Sequence, residues 1–284
     1  MINQQLSKFA THENSAYPQL WRGCVGAWCP SLGPSGARLH DYSRRNNWAT
    51  LTNMDTATDW VIDGGAYALD FDGVNDQAIA NVVLQGRSTS MTVSLWANLA
   101  NVSDGGAFFK IGADLYDGFG FGRGSTTFDN IGNNYIGLYE GVAWFSTGYT
   151  MATDTWIHVA CQITSAGQML AWVGGVQRAA GPSGMRAIGS YSPSTDPGTT
   201  NIGGYLSPFV GGIPRFAQAK LDDVRLYDRV LSDAEMRLLA RRRGIAFTPR
   251  TRRIAVTEQA ATGGATPWLY ARRRSQIIGA GGVH

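Results

Sequence analysis

Three cysteines, Cys24, Cys29 and Cys161, are all that this 284-residue chain contains. They cannot all pair with one another, and no further cysteine or adjacent histidine completes a zinc set. The residues read as free thiols with Cys161 in a core. A bridge between Cys24 and Cys29 stays open and would need an oxidising compartment. Long apolar runs are also missing. No uncharged stretch approaches the ~20 residues that cross a bilayer, so no membrane anchor is expected. The opening "MINQQLSKFATHENSAYPQ" lacks the apolar centre of a secretory signal, which places the chain in the cytoplasm on this reading.

Charged residues are sparse at 16%, whereas glycine occupies 36 positions, well above the usual ~7%. That composition suits many short strands joined by tight turns. The charges are divided. From Arg241 onward there are nine arginines, no lysine and the single acid Glu258, a surplus of eight positive charges that leaves residues 1–240 about five negative. Either the run is solvated, or its guanidinium groups dock on an acidic partner.

Residues 1–20 read as a polar arm, and strands begin beyond Trp21. "CVGAWCP" is a short strand stopped by Pro30. "LGPSGARLHDYSRRNNWATLTN" is loop, strand and turn-rich polar material. In "AYALDF", Tyr67, Leu69 and Phe71 alternate with Ala66, Ala68 and Asp70; in "MTVSLWANL", Met91, Val93, Leu95 and Ala97 alternate with Thr92, Ser94, Trp96 and Asn98. Further strands are expected at 107–111, 118–122, 134–139, 141–145, 156–163, 168–173 and 201–204, at the spacing of a sandwich or barrel. The clear helix lies in "LSDAEMRLLARRRG": Ser232 and Glu235 form a capping box, Leu231 and Met236 an apolar staple, and Arg241 to Arg243 fill the last turn before Gly244.

Catalytic patterns are absent. There is no G-x-S-x-G elbow, Walker A run or G-x-G-x-x-G, and "GFGFGRG" reads as a glycine-rich strand. No E-x-D-x-x-E array supplies glucanase carboxylates; Asp222 and Asp223 in "LDDVRLYDR" read as an exposed strand start. His158 reads as a packed strand residue. Asp70, Asp72, Asn75 and Asp76 read as a turn, with calcium the minority reading because the spacing is not that of an EF-hand loop. The arginine triplets are not interleaved with stacking aromatics on a sheet, so nucleic acid is not expected as a partner. No cofactor is expected.

Taken in order, "GCVGAWCPSLGPSG", "TLTNM", "YALDFDGVND", "MTVSLWAN", "WIHVA", "NIGGY" and "LDDVRLYDRVLSDAEMRLL" resemble the concanavalin A-like, laminin-G-like jelly rolls of bacteria and their viruses. The resemblance runs from about Trp21 to Gly244. It implies an all-β antiparallel jelly-roll sandwich with one short C-terminal helix, adjacent first and last strands, and a structural role for the "DFDG" turn. Some relatives hold calcium near the sheet rim or bind sugars on a loop surface, but no complete set of those ligands matches here. "YPQLWRGCVGAW" and "RLLARRRGIAF" also look like a subgroup from tailed phages and some marine bacteria.

The organisation expected is an arm at 1–20, a jelly-roll domain at 21–244 and an Arg-rich arm at 245–284. The function expected is that of a non-enzymatic virion protein of a tailed phage, head-decorating or tail-attached, assembled in the host cytoplasm as a homo-oligomer or with other virion proteins. Arg241, Arg242, Arg243, Arg250, Arg252, Arg253, Trp268, Arg272, Arg273 and Arg274 would grip those partners. The alternative is a carbohydrate-binding module or adhesin that meets a glycan through exposed Trp and Tyr on loops.

Overall fold

The computed structural model describes residues 6–82, 90–100, 105–112, 119–124, 135–140, 143–180, 199–207 and 213–250. Eighteen strands are described: β1 Cys24–Trp28, β2 Arg38–Leu39, β3 Ala49–Thr52, β4 Trp60–Asp63, β5 Ala66–Asp72, β6 Gln77–Asn81, β7 Met91–Leu99, β8 Gly106–Ile111 and β9 Phe119–Arg123, followed by β10 Tyr135–Glu140, β11 Ala143–Thr150, β12 Ile157–Ile163, β13 Met169–Val173, β14 Val176–Ala180, β15 Thr199–Ile202, β16 Leu206–Ser207, β17 Ile213–Pro214 and β18 Gln218–Tyr227. One sheet runs β14-β13-β12-β7-β18-β5-β4, with β1 also paired to β18. The other runs β11-β10-β9-β8-β15-β6-β3-β2. Both are antiparallel, and the first and last strands are neighbours. The sandwich is an all-β jelly roll: strand spacing predicts a sandwich or barrel, and the family resemblance implies the jelly roll.

The alternation read along β7 decides which way each side chain points. Met91, Val93, Leu95, Ala97 and Leu99 enter the core between the sheets, where they meet Phe108, Phe109, Phe119, Phe121 and Ile202 from the second sheet. Close packing also dictates small residues. A Cβ at Gly203, whose φ is +84°, would fall 2.1 Å from the Phe71 ring. Thr92 and Ser94 point the other way yet are buried as well. A third layer covers that outer face and satisfies Thr92, while Ser94 pairs with His158 of the neighbouring strand β12 at 2.8 Å. Thr92 Oγ1 donates to Arg229 O at 2.7 Å and accepts from Leu231 N at 3.1 Å.

This third layer changes the expected ends of the domain. Residues 6–20 are not a free arm: Leu20 and Trp21 pack with Ala27, Ala160, Trp172 and Tyr227 of the first sheet. The segment read as the start of a C-terminal arm joins them. Ile245–Phe247 form a 3₁₀ turn with all three residues buried, so the compact unit extends to Arg250 rather than Gly244. Both ends are tied together by Ala16 N to Thr248 O at 2.8 Å, Arg250 N to Asn14 O at 2.9 Å and Ser7 N to Phe247 O at 3.1 Å. The physical reason is that the apolar outer face of β12, β13 and β18 has to be removed from water. Trp21, Leu239 and Phe247 do that.

The helix α1 spans Asp233–Leu239, with the Ser232–Glu235 capping box in place. It ends earlier than its sequence suggests, so Arg241 to Arg243 lie beyond its C-cap, Ala240. Asp222 and Asp223 are also corrected. They are not an exposed strand start but sit mid-strand on β18, 0% and 2% exposed, at a break in register between Asp222 and Arg225. The "DFDG" segment is a turn held by Asp72 Oδ1, which accepts from Val74 N at 2.7 Å and Asn75 N at 3.2 Å, while Asp76 Oδ2 accepts from Asp72 N at 3.0 Å.

Candidate functional site

With β12, β13 and β18 of the first sheet covered, the outer face of the second sheet is a further candidate β surface. Registers align Arg38, Thr50, Ile79, Asn201, Lys110, Gly120 and Tyr139 in one row from β2 to β10. Thr50 and Arg38 are exposed, while Lys110 is buried with its ammonium 4.5 Å from the Tyr205 ring centre. The row offers hydrogen-bonding groups. Among the described side chains it does not include the concave aromatic wall that ligand clefts combine with polar groups.

Such a wall exists where the β1–β2 and β2–β3 connections meet the N-terminal segment. A cleft of about 680 Å³ is lined by His40, Tyr42, Trp48, Arg44, Asn46 and Phe9, among others. Three of its aromatics, Tyr42, His40 and Trp48, are held in a chain of rings. Starting from buried Trp21, ring centres step to Phe247 at 5.1 Å, to Tyr42 at 5.1 Å, to His40 at 4.5 Å and to Trp48 at 4.3 Å. Every step is edge-to-face, the favoured arrangement of aromatic quadrupoles. Trp48, 42% exposed, is the outer end of that chain.

The loop carrying these rings is organised by Asp41. Its Oδ1 accepts from Ala27 N and Ser43 N, both at 2.9 Å; Oδ2 accepts from Ser43 Oγ at 2.7 Å and Asn47 N at 2.9 Å. Asn47 then donates to Val25 O at 2.7 Å, and Trp28 Nε1 donates to Asn47 O at 2.8 Å. A buried carboxylate with four donors fixes its surroundings, since each bond to a charged group is worth ~1.5–3 kcal/mol. Arg44 and Asn46, with φ of 70° and 58°, form the turn that returns the chain to Trp48.

A second cleft, about 940 Å³, shares Lys8, Phe9, Leu32 and Gly33 with the first. Its other lining includes Ser31, Tyr67, Arg242 and Arg243, and no acid among the described residues. Arg243 lies 3.6 Å from Asp222 by Nη1, donates from Nη2 to Asp63 O, and stacks 4.0 Å from the Trp156 ring centre. Asp222 accepts from Ser31 N at 3.0 Å and from Ser31 Oγ; burial and the Asp223 carboxylate push it up to about 7.

Of the arginines expected to grip a partner, two are used within the chain. Arg242 donates to Thr248 Oγ1 at 2.6 Å, and Arg243 makes the contacts above. Arg241 and Arg250 are exposed. Arg252, Arg253, Trp268, Arg272, Arg273 and Arg274 lie outside the described residues. His158 is a core residue: Nε2 is 2.8 Å from Ser94 Oγ, and burial lowers its pKa to about 3. No group of three or more His, Cys, Asp or Glu side chains placed to hold a metal occurs among the described residues. His40, Tyr42 and Trp48 went unnoticed in the sequence because they fall in a turn-rich stretch without periodicity. Their one signal was three large rings within nine residues of polar loop.

A family model for the concanavalin A-like lectin/glucanases superfamily matches residues 71–237. No curated protein matches. Among solved structures, domain 4 of AbnA, a GH43 extracellular arabinanase from Geobacillus stearothermophilus in complex with arabinotriose, is 17% identical with a TM-score of 0.56, covering 76% of this chain and 98% of that one. The binding domain of Paraclostridial Mosquitocidal Protein 1 is 14% identical with a TM-score of 0.55, covering 78% and 52%. Trypanosoma rangeli sialidase is 18% identical with a TM-score of 0.52, covering 77% of this chain; the chain spans about a third of the sialidase's length, 32%. At these identities the likeness is one of fold.

Proposed function

The chain belongs to the concanavalin A-like lectin/glucanase superfamily, and from that premise we propose that it is a carbohydrate-binding module whose ligand stacks on Trp48. The observation that carries this reading is the five-ring chain, which holds an exposed indole rigid at the mouth of a cleft with His40, Asn46 and Arg44 beside it. A preformed ring loses little entropy on binding. A sugar presents apolar C–H faces to the indole and hydroxyls to the polar rim.

The proposal is binding without turnover. Glycoside hydrolysis uses a pair of carboxylates, whereas among the described residues Asp41 is the one acid lining this cleft, and both of its oxygens are taken by backbone and serine donors. The arabinotriose complex of the arabinanase domain supports a glycan role for this fold. Attachment to a phage particle through the C-terminal arginines has less support, since Arg242 and Arg243 are used internally.

The test is a glycan array followed by titration of the best ligand. Covering roughly 60 Å² of indole at ~25 cal/mol per Å² is worth ~1.5 kcal/mol, so Trp48→Ala is expected to weaken binding about tenfold. The variant should still fold, checked by circular dichroism, because Trp48 is the outer end of the ring chain; a modest fall in melting temperature reflects the lost packing on His40. Absence of any glycan ligand, or unchanged affinity in the variant, would reject the reading.

A further inference from the structure

Phe9 is 76% exposed, and the chain on either side of it is pinned. Ser7 N donates to Phe247 O at 3.1 Å, Ala10 N donates back to Ser7 O at 2.9 Å, and Phe9 N donates to Ser7 Oγ at 3.3 Å, while Ala10 itself is 3% exposed. The ring therefore stands at the tip of an anchored turn. Lys8 Nζ lies 5.4 Å from its centre, and most of the ring remains in water.

Phe9 lines both clefts, which run together along Lys8, Phe9, Leu32 and Gly33. In the smaller one it shares the lining with Trp48, so two exposed aromatic rings border one trough. Past Phe9 the lining includes Tyr67, and nothing lies within 4 Å of where a Cβ would stand on Gly33 or Gly65, which leaves the wall at both as bare backbone. The guanidinium groups along the trough are occupied. Arg44 pairs with Glu13 at 3.6 Å, Arg242 donates to Thr248, and Arg243 is held by Asp222, Asp63 O and the Trp156 ring. A ligand here meets aromatic faces and peptide groups rather than an open charge.

Resting on the carbohydrate reading, we propose that the ligand is an uncharged linear oligosaccharide, which stacks one sugar on Trp48 and another on Phe9 and continues past Tyr67. A neutral sugar is apolar on its C–H faces and polar at its edge, which matches rings set beside bare backbone. Clefts of about 680 and 940 Å³, each within the ~300–1,000 Å³ usual for one small ligand, together take several linked sugars. The second ring also adds to affinity efficiently, because the sugar that reaches Phe9 is already tethered by the one on Trp48.

The test is titration calorimetry of the full chain with arabino-, xylo- and cello-oligosaccharides, from mono- to hexasaccharide. In a series that binds, affinity is expected to rise about tenfold with length, the gain from covering one more aromatic face. Phe9→Ala should abolish most of that rise, and Trp48→Ala should weaken every length. Phe9 is exposed, so its variant keeps the fold. Affinity that is flat with length, or a rise that survives in Phe9→Ala, overturns this inference and leaves the carbohydrate reading standing. So does sedimentation in which Phe9→Ala turns a dimer into monomers, since the ring is then a contact between copies. If no series binds, the inference falls; if the glycan array is blank as well, the carbohydrate reading falls with it.

Discussion

Replacing Arg225 with methionine should destabilise the protein severely, and restoring neutrality at Asp223 should rescue it. Arg225 is 0% exposed on β18, on the face covered by the third layer. Its Nε donates to Asp223 Oδ1 at 2.8 Å, and its guanidinium carbon lies 4.8 Å from the Trp21 ring centre and 5.0 Å from that of Phe247. One residue thus pins the N-terminal segment, the C-terminal turn and the sheet together. Methionine keeps the stem and most of the volume but leaves the Asp223 carboxylate, 2% exposed, with the Gly244 N–H as its remaining partner at 2.9 Å. Breaking a buried ion pair from one side costs ~3–5 kcal/mol, because the orphaned charge stays buried. For a body of this size that is roughly 6–20 °C in melting temperature, at ~2–4 °C per kcal/mol. Asparagine in place of Asp223 still accepts from Gly244 and tolerates its left-handed φ of 46°, so Arg225→Met/Asp223→Asn should recover most of the loss. Thermal and urea unfolding of parent, both single variants and the double variant measure the cycle. A single variant within 1 kcal/mol of the parent, or a double variant no better than Arg225→Met, would refute the reasoning.

Two further outcomes follow from the same layer. Asp222, raised to about 7 by burial, holds a proton in the folded state that the unfolded chain has released above its ordinary 3.8. Its contribution to stability therefore falls as pH rises from about 4 to 7, by up to ~1.4 kcal/mol per pH unit, and is flat above. Comparing Asp222→Asn with the parent at each pH isolates this slope from the opposite one of His158, whose neutral form is favoured by burial; a pH-independent difference would contradict it. Truncation after Gly244 should lower the melting temperature of the body sharply relative to truncation after Arg250, because it removes Phe247 from Trp21, Tyr42 and Arg225. Equal stability of the two truncated chains, measured by circular dichroism, would show that the 3₁₀ turn contributes nothing.

The sandwich was legible in the sequence because its central strands obey period two, and the capping box was legible because it is local. Strands β2, β16 and β17, two residues each, leave too short a pattern to read. The larger miss was the third layer. Alternation in β7 says that Thr92 and Ser94 face away from the core, which in a two-layer protein means water. Nothing local to β7 says that Leu231 and the residues around it will be there instead. The same blindness made Asp222 and Asp223 look like a solvated strand start, since two adjacent acids are ordinarily exposed. Their partners, Ser31, Gly244 and Arg243, are far away in sequence or were assigned to other roles.

The candidate site lies at the seam of that unread layer. Trp48 is oriented by His40, His40 by Tyr42, and Tyr42 by Phe247, which belongs to the C-terminal turn; Lys8 and Arg243 come from the two terminal segments themselves. A two-sheet jelly roll lacking residues 6–20 and 241–250 would keep its core but lose one wall of both clefts. Cleft and cover are thus one construction: the segments that seal the apolar outer face of the first sheet also set the rigidity of the indole and line both clefts. Affinity for a ligand at this seam is consequently linked to docking of the termini, since a ligand that requires the closed arrangement stabilises it by mass action.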